Sequence, residues 1–349
     1  MERQVRAEDL RQVVAVIFER CGMSQVDATL LTDTFVTADL RGVHSHGVLR
    51  VGDYVKKLQT GGVDPAGRPR VVTQNGAALV VDGSNSMGQI GATFAMRLAI
   101  KRAHQTNVGV AVVRGSNHCG AMDYYAMLAA GEGMIGLATT NALPTMAPWG
   151  GVDKILGINP LGVAIPAGEE SAIVFDAAFS ASSIGKIRVY GQKGLAIPER
   201  WATDSEGRPT TDPAVAVEGL LAPIGQHKGT GLALVMGILS AFLSGARFGT
   251  ELGNMVDGPK PGGDGHFLMA LNVAAFVDPA TFKHRVDSVI RQFHGSRPVS
   301  GGDRVYLPGE RESMAQRLYS TEGIPLNQQT LDGVIATARE LGVDPGPIT

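Results

Sequence analysis

The first sixty residues repeat apolar positions at the spacing of one helix face. Leu10, Val13, Val14 and Ile17 form one stripe and Leu30, Leu31 and Phe35 a second, with Ser24 placed to cap the latter. Two or three helices are expected between Ala7 and Thr60. From Arg70 the period shortens to that of strands. The runs VVTQNGAALVVDG (71–83), VGVAVVRG (108–115) and MIGLATTN (134–141) are rich in β-branched residues and broken by Gly and Asn turns, while Gly91 to His104 reads as a helix. Further strands are expected at Leu161 to Pro166, Ala172 to Phe175 and Phe267 to Phe276. An exposed hairpin or loop at Ile197 to Pro213, a long buried helix at Gly231 to Ser244, a glycine-rich loop at Val256 to Gly265 and a helical tail from Pro279 complete the pattern. Strands mixed with helices in the middle, and helices at both ends, predict a mixed α/β (α+β) chain whose ends pack together as one helical layer.

Composition narrows the function. Lys and Arg number 31 against 33 Asp and Glu, a net charge of −2, and aromatic residues are 5% of the chain. Without a basic surplus or basic patch, and with few stacking side chains, a nucleic-acid partner is not expected. The apolar stretch Val13 to Phe18 is too short and too closely flanked by charge for a signal peptide. The uncharged run Gly229 to Ala246, between Lys228 and Arg247, just reaches the length of a membrane span, but glycine and hydroxyl side chains dilute it and a core helix fits better. Two cysteines, Cys21 and Cys119, make no disulfide framework, so a reducing, cytoplasmic setting is expected. The 46 glycines, nearly twice the usual share of about 7%, call for a structural or functional reason.

Phosphate-loop signatures are missing. No GxxxxGK[ST] occurs, and the glycine cluster GSNSMGQIG (83–91) has the wrong spacing for GxGxxG, so a standard Rossmann domain is not expected. In GQHKGTGLALVMG, Lys228, Gly229 and Gly231 stand just before the long helix, where they either seat a diphosphate or let the helix pack closely. RGVHSHGVLR (41–50) sets His44, Ser45 and His46 between Arg41 and Arg50, and RGSNHCG (114–120) adds His118. One histidine as general acid or base, with an arginine fork on a carboxylate, accounts for this economically. The competing reading is a metal-dependent hydrolase with His44, His46 and His118 as zinc ligands, but the spacing is loose and no general-base glutamate accompanies it; no metal is expected. Asn141 and Asn159 either bond a substrate or cofactor amide or brace tight turns. Asp176 either orients an imidazole or caps a helix. Cys119 shows no sign of activation, and packing is its expected role.

These segments, taken in order, resemble the type 2 malate/L-lactate dehydrogenase family, whose relatives include ureidoglycolate, sulfolactate and diketogulonate dehydrogenases and the piperideine-carboxylate reductases. RGVHSHGVLR, SNHCG, APWGG, LGINPLGVAIP, FDAAFSASSIGK, GQHKGTGLALV, GGDGHFLMAL and LPGERE carry the likeness from Arg41 to Glu312. It implies a non-Rossmann NAD(P)-binding domain with a largely antiparallel mixed sheet at 73–279, and a helical domain from 1–72 with 280–349. It also implies a homodimer, NAD or NADP, and a small anionic 2-oxo or 2-hydroxy acid, or a cyclic imino acid in the alternative. By position, His46 or His118 resembles the proton donor, with Ser45 beside His46 and Asp176 poised to orient it. Arg50 would grip the substrate carboxylate and Asn141 help place the substrate. Cofactor contacts would come from Phe175, Asp176, Ala177, Ala178, Phe179, Ser180 and Ala181, from His227 and Lys228, and from Pro308, Gly309 and Glu310. Cys119 stands where many relatives carry an aromatic residue, Ile158 where threonine is usual, and Phe179 and Ile184 where threonine and arginine are frequent.

Overall fold

The computed structural model describes residues 2–255 and 258–349. Strand β1 (Glu2–Val5) precedes the helices α1 (Ala7–Arg20), α2 (Gln25–Leu40) and α3 (Val51–Gln59), with single 3-10 turns at His44–His46 and Val48–Arg50 between the last two. A hairpin of β2 (Arg70–Asn75) and β3 (Ala78–Asp82) leads into α4 (Gly88–Thr106), β4 (Val108–Ser116), α5 (Asp123–Gly131) and β5 (Met134–Thr140). The short strands β6 (Pro144–Met146) and β7 (Leu156–Gly157) pair with each other, and β8 (Leu161–Ile165) and β9 (Ile173–Ala177) form the next hairpin. A peripheral lobe holds α6 (Ile184–Gln192), β10 (Ala202–Thr203), α7 (Pro213–Glu218) and β11 (Leu220–Leu221). The chain ends on α8 (His227–Ala241), β12 (Asp264–Asn272), α9 (Pro279–His294), α10 (Glu310–Glu322), β13 (Ile324–Asn327) and α11 (Gln328–Glu340).

Seven strands form one sheet in the order β2-β3-β4-β12-β5-β8-β9, with β3 and β4 the one parallel pair. The largely antiparallel mixed sheet is as expected. Strand β12 arrives from late in the chain and lies antiparallel to both β4 and β5, setting His266 beside Val113 on one side and Thr140 on the other. Helices α4 and α5 cover one face with alanines and methionines. Part of the glycine demand follows from this closeness: a Cβ on Gly109 would lie 1.9 Å from the Ala99 carbonyl oxygen.

The two chain ends do pack together. Strand β1 pairs antiparallel with β13, and Leu10, Val14, Ile17 and Phe18 share a core with Phe35, Tyr54, Leu331 and Val334. Each such fully buried side chain contributes about 1.5–3 kcal/mol of hydrophobic stabilisation before entropy is counted. Ser24 caps α2, its hydroxyl accepting the Asp27 N–H. Helix α9 instead sits against the sheet unit, where Asp287 accepts the N–H groups of Gly168, Glu169 and Glu170.

Two sequence expectations shift, the strand at 267–276 and the long helix, while the exposed hairpin or loop expected at 197–213 is present, with Thr203 and Pro209 paired antiparallel. The strand expected at 267–276 runs from Asp264 to Asn272, where the Asn272 side chain accepts the Ala274 N–H and turns the chain into a 3-10 turn. The stretch 197–213 holds β10 and a turn in which Asp204 accepts the N–H groups of Glu206 and Arg208. The long helix begins at His227 and is buried on one side only: Ala233, Gly237 and Ser240 face the protein, while Leu232, Leu234, Val235 and Ile238, with Phe242 and Leu243 just beyond its end, are exposed. Its sequence is apolar around the whole circumference, which burial on one face leaves half used. Among the described residues no helix is long and apolar enough to cross a membrane. Val256 and Asp257 of the expected glycine-rich loop lie outside the described residues.

Candidate active site

The 3-10 turns between α2 and α3 display a loop instead of burying it, and Asp39 ties that loop down. Its carboxylate, 1% exposed, accepts the Val48 N–H at 2.7 Å and lies 2.7 Å from His44 Nδ1. The hydrogen bond to Asp39 raises the His44 pKa, and the His44 ring stacks on Tyr319. His44 is thereby committed to the loop. His46 turns the other way and lies parallel to His118, with ring centroids 5.9 Å apart and an interplanar angle of 6°.

Each of these two rings has a hydroxyl on its Nδ1. Ser45 Oγ is 3.0 Å from that of His46, and Tyr54 OH is 2.5 Å from that of His118. Neither Nε2 has a protein partner among the described residues. Burial, helped by the Arg50 guanidinium, lowers His46 to about 4 and His118 well below its ordinary value, so both rings are neutral at neutral pH. Arg50 is half-buried and pairs with Asp53 at 2.9 Å.

A cavity of about 560 Å³ opens beside His46 and Ser45. Its other walls are Phe175, Asp176, Ala177 and Ala178 of β9 and the following turn, Leu307 to Gly309, and the buried ion pair of Arg41 with Asp123 at 2.8 Å. Asp176 reaches this cavity, but its carboxylate accepts the Asp123 N–H at 3.1 Å, at the first residue of α5. Of its two readings, the helix cap is the one the geometry realises. Its hydrogen bonds among the described residues go to neither imidazole, and Ser45 is the partner of His46. Burial, then repulsion from the Asp123 carboxylate, raises Asp176 to about 7.

The remaining expected residues lie elsewhere. The Asn141 amide is spent on backbone, donating to the Arg247 carbonyl at 2.6 Å and accepting the Gly265 N–H at 2.9 Å, so it braces loops and does not line the cavity. Asn159 does the same between Ala142 and Ala233. Phe179 is buried in the core of the peripheral lobe, which removes its side chain from the expected cofactor surface. Ser180 donates to the Ser182 carbonyl, and Ala181 N–H to that of Ala222. Glu310 lines a neighbouring cavity and is engaged by His294, Arg304 and the Leu307 N–H. His227 and Lys228 form the first turn of α8, with the His227 ring against Trp149. Gly229 serves packing, since a Cβ there would meet the Ile224 carbonyl oxygen at 2.1 Å, whereas Gly231 faces open space. Cys119 is buried, which pushes its thiol up and leaves it a packing residue.

Two observations fit a dinucleotide. The hydroxyls of Ser182 and Thr230 are buried without a partner among the described residues. Ser182 closes the 179–182 segment, which is laced to residues 222–224 just before α8, and Thr230 lies in the first turn of that helix. A phosphate at that helix start, near Lys228, would satisfy such groups.

Several site residues carry no sequence signal. Tyr54 lies on an apolar helix stripe and reads as core, which its ring is; Gln89 and Asp39 lie in helices whose patterns show nothing unusual. His266, wedged between Ser116 Oγ and Thr140 Oγ1 at 2.8 Å each, becomes visible only once β12 is known to insert between β4 and β5. The three-imidazole metal cluster is not assembled: His44 is drawn to Asp39 while His46 and His118 stack.

A family model described as malate/L-lactate dehydrogenase matches residues 5–334. The malate dehydrogenase of Pyrococcus abyssi is 36% identical over 348 residues, covering 97% of this chain and 95% of that protein. The ureidoglycolate dehydrogenase (NAD(+)) of Escherichia coli K12 is 31% identical, with 96% of each chain covered. The delta(1)-pyrroline-2-carboxylate/delta(1)-piperideine-2-carboxylate reductase of Pseudomonas putida is 30% identical, covering 93% of this chain and 94% of that one. The solved structure of sulfolactate dehydrogenase from Methanocaldococcus jannaschii matches with a TM-score of 0.92 at 34% identity over 99% of both chains. The chain belongs to the malate/L-lactate dehydrogenase family. It is a nicotinamide-dependent dehydrogenase.

Proposed function

We propose that the protein interconverts a small anionic 2-hydroxy acid and its 2-oxo acid, using NAD or NADP. The observation that carries this is the parallel pair of neutral imidazoles, neither Nε2 having a partner among the described residues, of which His46 lines the cavity of about 560 Å³ and His118 stacks on it, both within the electrostatic reach of Arg50. Arg50 holds the substrate carboxylate through the guanidinium donors that Asp53 leaves free. Neutralising Arg50 in this way removes the charge that disfavours imidazolium, so substrate binding itself raises the pKa of both rings. His118 then carries the proton exchanged with the substrate oxygen, and His46 hydrogen-bonds that oxygen and fixes its direction.

Phe175 to Ala178 and Pro308 with Gly309 wall the nicotinamide end of the cofactor, while Lys228, Ser182 and Thr230 take its phosphates. The bound nicotinamide supplies or accepts the hydride. Asp176, near 7 and facing the same cavity, supports a second reading in which a cyclic imino acid is reduced, because a carboxyl there can meet an imine N–H.

Loss of NADH or NADPH absorbance, followed across a panel of 2-oxo acids and cyclic imino acids with and without chelator, tests both readings. Chelator-insensitive turnover on one class is expected. Silence across the panel with both cofactors would overturn the proposal.

The exposed apolar face of Leu232, Val235, Ile238 and Phe242 supports a homodimer, since a surface of this kind is normally covered. Light scattering should give twice the 36.5 kDa chain mass, and Phe242→Glu should shift it toward the monomer. A parent protein that runs as a monomer at micromolar concentration would refute this. The free Cys21 and Cys119 support a reducing, cytoplasmic location.

A further inference from the structure

We propose that Tyr54 and Gln89 form a two-state relay that gives His118 a hydrogen-bond partner in both of its protonation states, making them positioning residues for the proton transfer. The inference rests on His118 being the proton carrier. Tyr54 on α3 and Gln89 on α4 are both fully buried. Gln89 Nε2 donates to Tyr54 OH at 2.9 Å, and that hydroxyl lies 2.5 Å from His118 Nδ1. With its oxygen accepting from Gln89, the hydroxyl donates to Nδ1, and the neutral ring keeps its proton on Nε2.

The protonated ring cannot use this arrangement, because both its nitrogens are donors. Tyr54 oxygen must then accept from Nδ1, and its own proton needs a new acceptor. The His118 carbonyl, at 3.4 Å, is a poor one. Gln89 Oε1 is the better choice: it is buried and has no partner among the described residues. Rotation of the Gln89 amide brings Oε1 to the Tyr54 hydroxyl and leaves the phenolic oxygen to accept from Nδ1. Transfer of the Nε2 proton to the substrate oxygen then leaves the remaining ring proton on Nδ1, already donated to Tyr54. The unpartnered carbonyl is thus the second position of a switch, and an unmet buried acceptor is costly enough to need such an account.

The other charged or titratable groups that act on His118 are Arg50, His46 and His266, and Asp264 and the Cys119 thiol act on Tyr54. None of these donates to or accepts from His118 Nδ1 among the described residues. Burial holds the Tyr54 phenol well above its ordinary range, so it stays a hydroxyl and changes direction instead of ionising.

Nitrogen NMR of the His118 ring in the full protein, together with the pH dependence of kcat, tests the relay. In the parent the neutral ring should carry its proton on Nε2. Tyr54→Phe should mix the two tautomers, lower kcat by roughly 10-fold or more with little change in the cofactor KM, and move the imidazolium limb down by about one pH unit, because a charge-assisted acceptor is lost. Gln89→Met should move the limb the same way by less, and serves if Tyr54→Phe does not fold. Parent-like ring signals in either folded variant, with an unmoved pH limb wherever turnover is measurable, would show that these residues only fill space. If no substrate turns over, the functional reading fails, while the ring signals still decide the relay.

Discussion

Replacing His118 with Asn should lower kcat for 2-oxo acid reduction by about 10²–10⁴-fold, the usual contribution of a positioned general acid, while leaving cofactor binding nearly intact. Asn fills part of the imidazole volume and still hydrogen-bonds, so the loss reports proton transfer more than packing. His46→Asn should act mainly on the substrate, raising its KM with a smaller fall in kcat, because His46 lines the cavity and its side-chain hydrogen bond among the described residues is to the exposed Ser45 hydroxyl. The sign of the pH dependence follows from the depressed pKa values. Both rings are neutral in the free protein at neutral pH, so reduction, which needs imidazolium in the complex, should decline as pH rises, and oxidation, which needs the free base, should improve. In His118→Asn both limbs should flatten. A larger kcat loss in His46→Asn than in His118→Asn would exchange the two assignments.

The same depressed values bear on stability. His46 and His266, both lowered to about 4 by burial, bind a proton more readily in the unfolded chain. Between their unfolded pKa near 6.5 and about 4, falling pH therefore favours unfolding. Asp264, raised to about 7, works in the opposite sense, since its buried ionisation costs stability as pH rises through that range. The site residues thus narrow the pH window of the fold from both sides.

What the sequence makes legible is local. The helical stripes, the Ser24 cap and the β2–β3 hairpin at Asn75-Gly76 are all set by neighbours within a few residues, and they appear in the structure close to where they are read. The placement of β12 between β4 and β5 is not local. It joins residues 126 and 150 positions apart in the chain, and with it the His266 wedge stays hidden. Asp176 shows the same limit at the level of one side chain: a carboxylate leaving a strand has two plausible duties, and only the tertiary position of the α5 amino terminus decides for the cap. Asn141 and Phe179, taken as contact residues from their motifs, are drawn inward by backbone bonding and core packing that the motif does not encode. His44 and His46, two residues apart, receive opposite duties because Asp39 can reach only one of them.

Arg50→Gln should lower kcat/KM for the 2-oxo acid by roughly 10²-fold, mostly through KM, because about 1.5–3 kcal/mol is lost for each hydrogen bond to a charged partner. It should also move the pH profile, and the direction separates a carboxylate grip from a packing role. Arg50 follows burial as the next cause that lowers both His46 and His118, so its removal raises the pKa of each ring, and reduction should persist to higher pH in the variant than in the parent. Arg50→Lys discriminates further. Lysine restores the positive charge near the imidazoles, which should return the pH profile toward that of the parent, but it lacks the planar fork, so the KM defect should remain. Asp53 provides the internal control: from the first turn of α3 it pairs at 2.9 Å with Arg50, the residue just before that helix, so Asp53→Asn should loosen the guanidinium and raise KM modestly without abolishing binding. Parent-like KM in Arg50→Gln would mean that the substrate carboxylate is held elsewhere, and Arg41, which lines the cavity and is already committed to Asp123, would then be the cation to test.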